Sequence, residues 1–121
     1  MASELRVDTL KDSSGNNSVG MSYVAGGSAK ALAKIDTDAA VDESLNVSSA
    51  TDNGTGNFSI TLTNSMSSSV YIALTGSGNT KHSQANESAR TTSVGSILNF
   101  NNSHSYADGD DMNFAMHGDL A

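Results

Sequence analysis

The chain has 121 residues, the length of one domain, which argues against a multidomain enzyme with separate cofactor and substrate modules. Six basic residues against thirteen acidic ones give a net charge of −7. This balance argues against nucleic acid and anionic membranes as partners, because both require clusters of Lys and Arg. The chain contains no cysteine, so disulfides, thiolate metal sites and cysteine nucleophiles are excluded.

The apolar content indicates a small core. Only 22 residues are Leu, Ile, Val or Phe, whereas Ser, Thr, Asn and Gly together account for 54. A domain of this size buries only about two thirds of its unfolded surface when it folds alone. We therefore expect contacts within an oligomer to supply part of the burial that stabilises the fold.

Targeting signals are not evident in the sequence. No stretch approaches 18 consecutive apolar residues, and the first twenty residues lack the apolar segment of a secretion signal. We expect a protein that is made in the cytoplasm and does not insert into a membrane.

Residues 1–28 are predicted to form an extended N-terminal arm. Leu5, Val7 and Leu10 give it a short apolar pattern, and a turn-rich stretch ending in Gly26-Gly27 follows. We place the domain boundary here, so that residues 29–121 form a β domain.

The clearest strand signal lies in the middle of the chain. Residues 58–63 alternate apolar and hydroxyl side chains, and this period of two predicts a half-buried strand. Asn53-Gly54 favours a two-residue hairpin turn ahead of it, and Leu45 with Val47 predicts the partner strand. Residues 45–63 are therefore expected to form a hairpin.

Further strands are predicted on both sides of this hairpin. They are residues 30–34, where a helix is the alternative, residues 70–75, with Tyr71 on the polar face, residues 97–100 and residues 112–116. Short strands separated by turn signals indicate an all-β fold, either a small antiparallel sandwich or a barrel.

Few residues could perform chemistry. His82 and His104 are predicted to lie in loops beside serines, and His117 at the end of a strand, but no serine has the G-x-S-x-G context of a nucleophile elbow. The acidic clusters at residues 36–43 and 108–111 lack the calcium-loop spacing and are interpreted as solvated turns. We predict no catalytic residue, metal or cofactor, and keep a small hydrolase that uses His82 or His104 as a remote alternative.

Tyrosines are the candidates for surface contacts. Tyr71 and Tyr106 could anchor a subunit interface or stack on a sugar, since tyrosine combines a large apolar ring with a polar hydroxyl. Ordinary packing within the sheet is the alternative for Tyr71.

Three segments resemble virion proteins of tailed phages that infect marine bacteria. The opening SELRVDTLKDSSGNN is similar to a short N-terminal segment of these proteins, and MNFAMHGDL to their closing strand. A longer stretch, residues 26–66, resembles a block of the same proteins, and its most specific part is NVSSATDNGTGNFSITLTNSM at residues 46–66. The sequence departs from the family at Leu32, where Trp is common, at Lys34 and Ile35, where Asn and Phe are common, and at Ser67, where Pro is usual.

The resemblance implies a structural protein without enzymatic activity, in a homotrimer located on the virion. It assigns attachment to the particle to residues of the N-terminal arm, namely Leu5, Val7, Asp8, Thr9 and Leu10. The expected partners are two further copies of the chain and a capsid or tail protein of the same virion. The short chain favours a decoration protein, short head fibre or tail knob, and a module that binds a host receptor or glycan is the alternative.

Overall fold

The structure is a computed structural model that describes residues 3–121. Its elements in chain order are β1 (Thr9–Lys11), β2 (Ser18–Gly20), α1 (Met21–Gly27), β3 (Ala31–Ile35), β4 (Val41–Leu45), β5 (Val47–Asp52), β6 (Asn57–Leu62), β7 (Ile72–Ser77), β8 (His82–Ala85), β9 (Val94–Phe100) and β10 (Met112–His117). The predicted all-β class is confirmed.

Strands β3 to β10 form two antiparallel four-stranded sheets. The front sheet has the strand order β4-β3-β10-β7, and the back sheet has the order β5-β6-β9-β8. The first and last strands of this unit, β3 and β10, pair at the centre of the front sheet. The two sheets bury their facing sides against each other, which gives the predicted β-sandwich.

The core lies between the sheets and follows the period of two. In β3, β6 and β10 every second side chain is buried, as the pleat of a strand requires. The buried apolar residues are Ala31, Ala33, Ile35, Ala39, Phe58, Ile60, Leu62, Met66, Tyr71, Ile97, Met112, Phe114 and Met116. The core therefore includes residues of the predicted strands at 30–34, 58–63, 70–75, 97–100 and 112–116.

The chain crosses from the front sheet to the back sheet at Asn46. This residue has a φ of 56°, in the left-handed region that asparagine tolerates. Its side-chain amide donates to the carbonyls of Lys30 and Asn64, at 3.0 Å each, and its Oδ1 accepts from the Asn64 amide at 2.8 Å. The predicted hairpin is confirmed as β5 and β6, but Leu45 lies in β4 and pairs within the other sheet.

The hairpin turn is longer than predicted. Four residues, 53–56, connect β5 to β6, so the prediction of a two-residue turn at Asn53-Gly54 is wrong. The Gly56 amide donates to the Asp108 carboxylate at 2.7 Å, and the Gly56 carbonyl accepts from the Asn99 amide at 2.8 Å. Gly56 has a φ of 67°, and a Cβ there would come within 2.5 Å of the Asn99 carbonyl oxygen. These contacts hold the turn against the chain before β10.

Strand β7 has the opposite orientation to the one expected. Tyr71, which the sequence places on the polar face, is only 5% exposed, whereas Ile72 and Leu74 are 65% and 57% exposed. The expectation that Tyr71 makes an outward contact is therefore wrong.

The sequence does not predict β8, α1 or β4 as a separate strand, and the segment expected to be an extended arm contains the β1–β2 hairpin and α1. Strand β8 has no apolar alternation, and it forms because it pairs with β9 in a register that places His82 opposite Phe100. His82 therefore begins a strand instead of lying in a loop, while His104 does lie in a loop. Helix α1 contains two glycines and buries none of its residues.

Candidate assembly surfaces

The outer face of the front sheet carries an apolar row that crosses all four strands. From β4 to β7 the row consists of Leu45, Leu32, Ala115 and Leu74, and the register makes each the direct neighbour of the next. Ile72 extends the row along β7, and Val70, which is 81% exposed, precedes it. We call these six residues the apolar face.

Two strands place large apolar side chains away from the core, although Ile35 of β3 is buried. In β3, Leu32 points outward between two buried alanines. In β7, Ala73 packs against the core, while Ile72 and Leu74 on either side point outward. A strand with apolar residues on both faces is typical of a sheet that is covered on both sides.

The orientation of β7 is held by the residue that precedes it. The Tyr71 hydroxyl donates to the Val94 carbonyl of the back sheet at 3.0 Å. The Arg90 guanidinium lies 5.2 Å from the centre of the Tyr71 ring and donates to the Tyr71 carbonyl at 3.0 Å. Burial raises the pKa of the Tyr71 phenol, and the positive charge of Arg90 acts in the opposite direction. With Tyr71 fixed inward, the alternation of β7 sends Ile72 and Leu74 outward.

Charged residues border the apolar face on one side. Lys34 Nζ lies 2.9 Å from Asp111 Oδ1 and 3.4 Å from Asp42 Oδ2. The hydrogen bond and the charge of Asp111, together with those of Asp42, raise the pKa of Lys34. Glu43 lies opposite Lys34 in the register. A shallow depression of about 440 Å³ runs between this charged margin and the apolar row.

The N-terminal arm is mostly exposed in its described part, with only Gly20, Met21 and Val24 half-buried. Leu5 and Val7 lie before β1, Thr9 and Leu10 lie within it, and the backbone carbonyl of Asp8 accepts a hydrogen bond from the Met21 amide. None of residues 3–28 is buried. Leu5 is 80% exposed, so its apolar side chain has no cover within the chain.

A small hairpin shapes this arm. Strands β1 and β2 are antiparallel, and the carboxylate of Asp12 organises the turn between them. It accepts from the Asn17 side-chain amide at 2.7 Å and from the backbone amides of Ser14 and Asn16. The side-chain hydrogen bond from Asn17 is the main cause that lowers the pKa of Asp12; desolvation opposes it, and smaller effects of the backbone hydrogen bonds add to the lowering.

An aromatic cluster lies at the edge of the back sheet. The rings of Phe100 and Tyr106 stack with their centres 5.0 Å apart, and those of His82 and His104 are 6.5 Å apart. Tyr106 is 56% exposed. A cavity of about 250 Å³ is lined by His82, His104, Phe100 and Gln84. Tyr106 thus stacks on a residue that shares a cavity with two histidines, whereas Tyr71 lies elsewhere in the core.

Several acidic side chains that the sequence assigns to turns act as turn acceptors. Asp36 accepts from the amides of Asp38 and Ala40, and Asp108 accepts from Gly56. Within residues 3–121, no three His, Asp or Glu residues converge in a way that could hold a metal ion. His117 lies in β10 opposite Ile72, beside the apolar face.

Comparisons with protein-family models, with curated proteins and with solved structures give no match to this chain. Among residues 3–121, no helix has the length and apolar character needed to cross a membrane.

Proposed function

We propose that this protein is a structural component of a tailed-phage virion, a small homotrimeric decoration or fibre protein attached to the particle surface through its N-terminal arm. The observation that carries the proposal is the arm itself, in which Leu5, Leu10 and Tyr23 are exposed and no residue of the described part is buried. Exposed apolar side chains on a short extended segment suit insertion into a groove or addition to a sheet edge of another protein.

The order of the elements supports this role for the arm. Residues 3–8 precede the β1–β2 hairpin, so they can extend away from the sandwich while the hairpin stays folded. Leu5 and Val7 are two residues apart and would point to the same side in an extended conformation. Such a segment adds main-chain hydrogen bonds and two apolar anchors to its receptor.

The test is incorporation into particles. The doubly substituted chain Leu5→Asp with Leu10→Asp, expressed in place of the natural gene, should be absent from purified particles, as measured by mass spectrometry. The matched control is Ser13→Asp with Ser14→Asp, which adds the same charge at the tip of the hairpin and should leave incorporation unchanged. Normal incorporation of the Leu5 and Leu10 variant would contradict the proposal.

A second candidate function is favoured by the aromatic cluster. The exposed ring of Tyr106 stacks on Phe100, which lines a cavity together with His82 and His104, and flat rings beside polar side chains suit the apolar face of a sugar. In this alternative the protein is a receptor-binding or glycan-binding module of a tail fibre. Binding of the full chain to host cells or to a glycan array, lost in Tyr106→Ala and kept in Tyr23→Ala, would favour it.

A further inference from the structure

We propose that the apolar face is the contact between copies of this chain, so that the outer side of the front sheet is buried in the oligomer. This inference rests on the proposed function in one respect, namely that the protein works as an oligomer. It specifies which surface joins the copies and leaves attachment to the virion to the N-terminal arm.

The apolar face is continuous across the front sheet. Because the apolar row crosses all four strands without a charged residue, it forms an apolar stripe across the sheet. The ion pairs of Lys34 lie on one side of it, at the level of Asn113 and Gly76. An apolar centre with a polar margin is the usual arrangement at interfaces between proteins.

The exposed apolar area of this face is large enough for an interface. The four most exposed residues of the apolar face, Val70, Ile72, Leu74 and Leu45, are between 53% and 81% exposed. They leave on the order of 400 Å² of apolar surface uncovered, as much as the largest patch on a typical monomer. Two facing copies would bury about twice this area from these side chains alone, and the rest of the face would bring the total near the roughly 1,200 Å² at which specific interfaces begin.

The chemistry of this face indicates the kind of partner that suits it. An acidic partner would find little to bind, because Lys34 is already paired with two carboxylates of its own chain. A second apolar sheet face suits it, because two such faces can interdigitate at about 10 Å, as sheets do within a sandwich. An identical copy supplies that face together with the same polar margin.

The experiment is the molar mass of the full chain in solution, measured by light scattering and by sedimentation over a range of concentrations. The unsubstituted chain should associate: a mass of three copies fits the proposed homotrimer, whereas a mass of two copies would support the apolar face as the contact and contradict the trimer. The variant Ile72→Thr with Leu74→Thr keeps residues that suit a strand, and it should raise the dissociation constant by about a hundredfold or more because two side chains lose their apolar burial. Its circular dichroism spectrum should show that the sandwich remains folded.

Two control variants separate the alternatives. Val41→Thr with Leu120→Thr changes two apolar residues of 39% and 42% exposure outside the apolar face and should leave the mass unchanged. Leu5→Asp with Leu10→Asp should also leave it unchanged; if this variant alone dissociates the oligomer, exchanged arms join the copies and the inference is wrong. A monomeric unsubstituted chain at high micromolar concentration would also overturn it.

The outcomes also separate this inference from the proposed function. A chain that associates through the apolar face but is missing from particles would support the inference and contradict the virion role. A chain that is incorporated into particles but remains oligomeric after substitution of Ile72 and Leu74 would support the virion role and contradict the inference.

Discussion

The two sheets of the sandwich differ in what they expose on their outer faces. In β6 of the back sheet, Phe58, Ile60 and Leu62 point inward and the hydroxyl side chains between them point outward. In β7 of the front sheet, the large apolar residues Ile72 and Leu74 point outward. Both strands alternate, but their orientations with respect to the core are opposite.

The difference shows that alternation alone does not determine which face of a strand is buried. The orientation of β7 is set by its neighbours, namely Tyr71, which bonds to the back sheet, and β10, whose register with β7 is fixed along six residues. A one-residue shift would exchange the two faces, so these contacts decide the outcome. The outward apolar residues that result are the best indication of a partner in this molecule.

The largest expected effect compares one core position with one position of the apolar face. Ile60→Ala should lower the free energy of unfolding by about 2–5 kcal/mol, because Ile60 is fully buried and its loss leaves a cavity. Ile72→Ala should have little effect on the dilute chain and a clear effect at concentrations where copies associate. Urea unfolding at several protein concentrations measures both. If the two variants lose equal free energy of unfolding at every protein concentration, the assignment of the inner and outer faces is contradicted.

A second change tests how tightly the inner faces meet. A Cβ at Gly95 of β9 would overlap the Phe114 ring of β10, so Gly95→Ala should cost about 1–3 kcal/mol in thermal or urea unfolding. Gly76→Ala is the control, because a Cβ there meets its nearest neighbour at an ordinary 3.8 Å on the outer side. Adding Phe114→Leu should partly restore the stability of the Gly95→Ala variant. If Gly95→Ala and Gly76→Ala lose the same free energy of unfolding, the described packing is contradicted.

A third change tests the residue that orients β7. Tyr71→Phe removes the hydrogen bond to the Val94 carbonyl and should lower the free energy of unfolding by about 1 kcal/mol. Tyr23→Phe, at a position that is 76% exposed, should have no effect. If both variants unfold at the same urea concentration as the unsubstituted chain, the Tyr71 hydroxyl does not hold the strand.

The smallest effect concerns the charged margin of the apolar face. Asp111 and Asp42 raise the pKa of Lys34 in the folded chain, so their attraction stabilises the fold fully below the unfolded pKa of lysine. This contribution should be lost as the pH rises through the higher folded pKa. The melting temperature of the unsubstituted chain should therefore fall slightly more at alkaline pH than that of Lys34→Met. Lys81→Met is the control and should follow the unsubstituted chain.

Much of the fold could be predicted from the sequence, because several strands carry their own signal. Alternating side chains define β3, β6 and β10, and the β5–β6 hairpin also follows from its pattern. The end of β4 could not be predicted, because Leu45 and Val47 keep the spacing of one strand across the crossing at Asn46. Strand β8 depends on its pairing with β9, which its own sequence does not show.

The candidate surfaces were harder to predict than the fold. Leu5 and Leu10 could be selected as exposed anchors, since their apolar pattern is isolated from the rest, and their attachment role stays a prediction. The apolar face could not be predicted, because it depends on which side of β7 the Tyr71 hydroxyl fixes inward. Tyr106 is exposed, but its proximity to His82 arises from the pairing of β8 with β9 and from the Phe100 ring between them.

The most direct test of the account is cryo-electron microscopy of the intact particle. We expect density for the sandwich in groups of three, with the front sheets turned toward one another and the N-terminal arms reaching into the shell or tail. Density for single copies, or for groups whose front sheets face solvent, would contradict the assembly described here, and a particle without this chain would contradict its role in the virion.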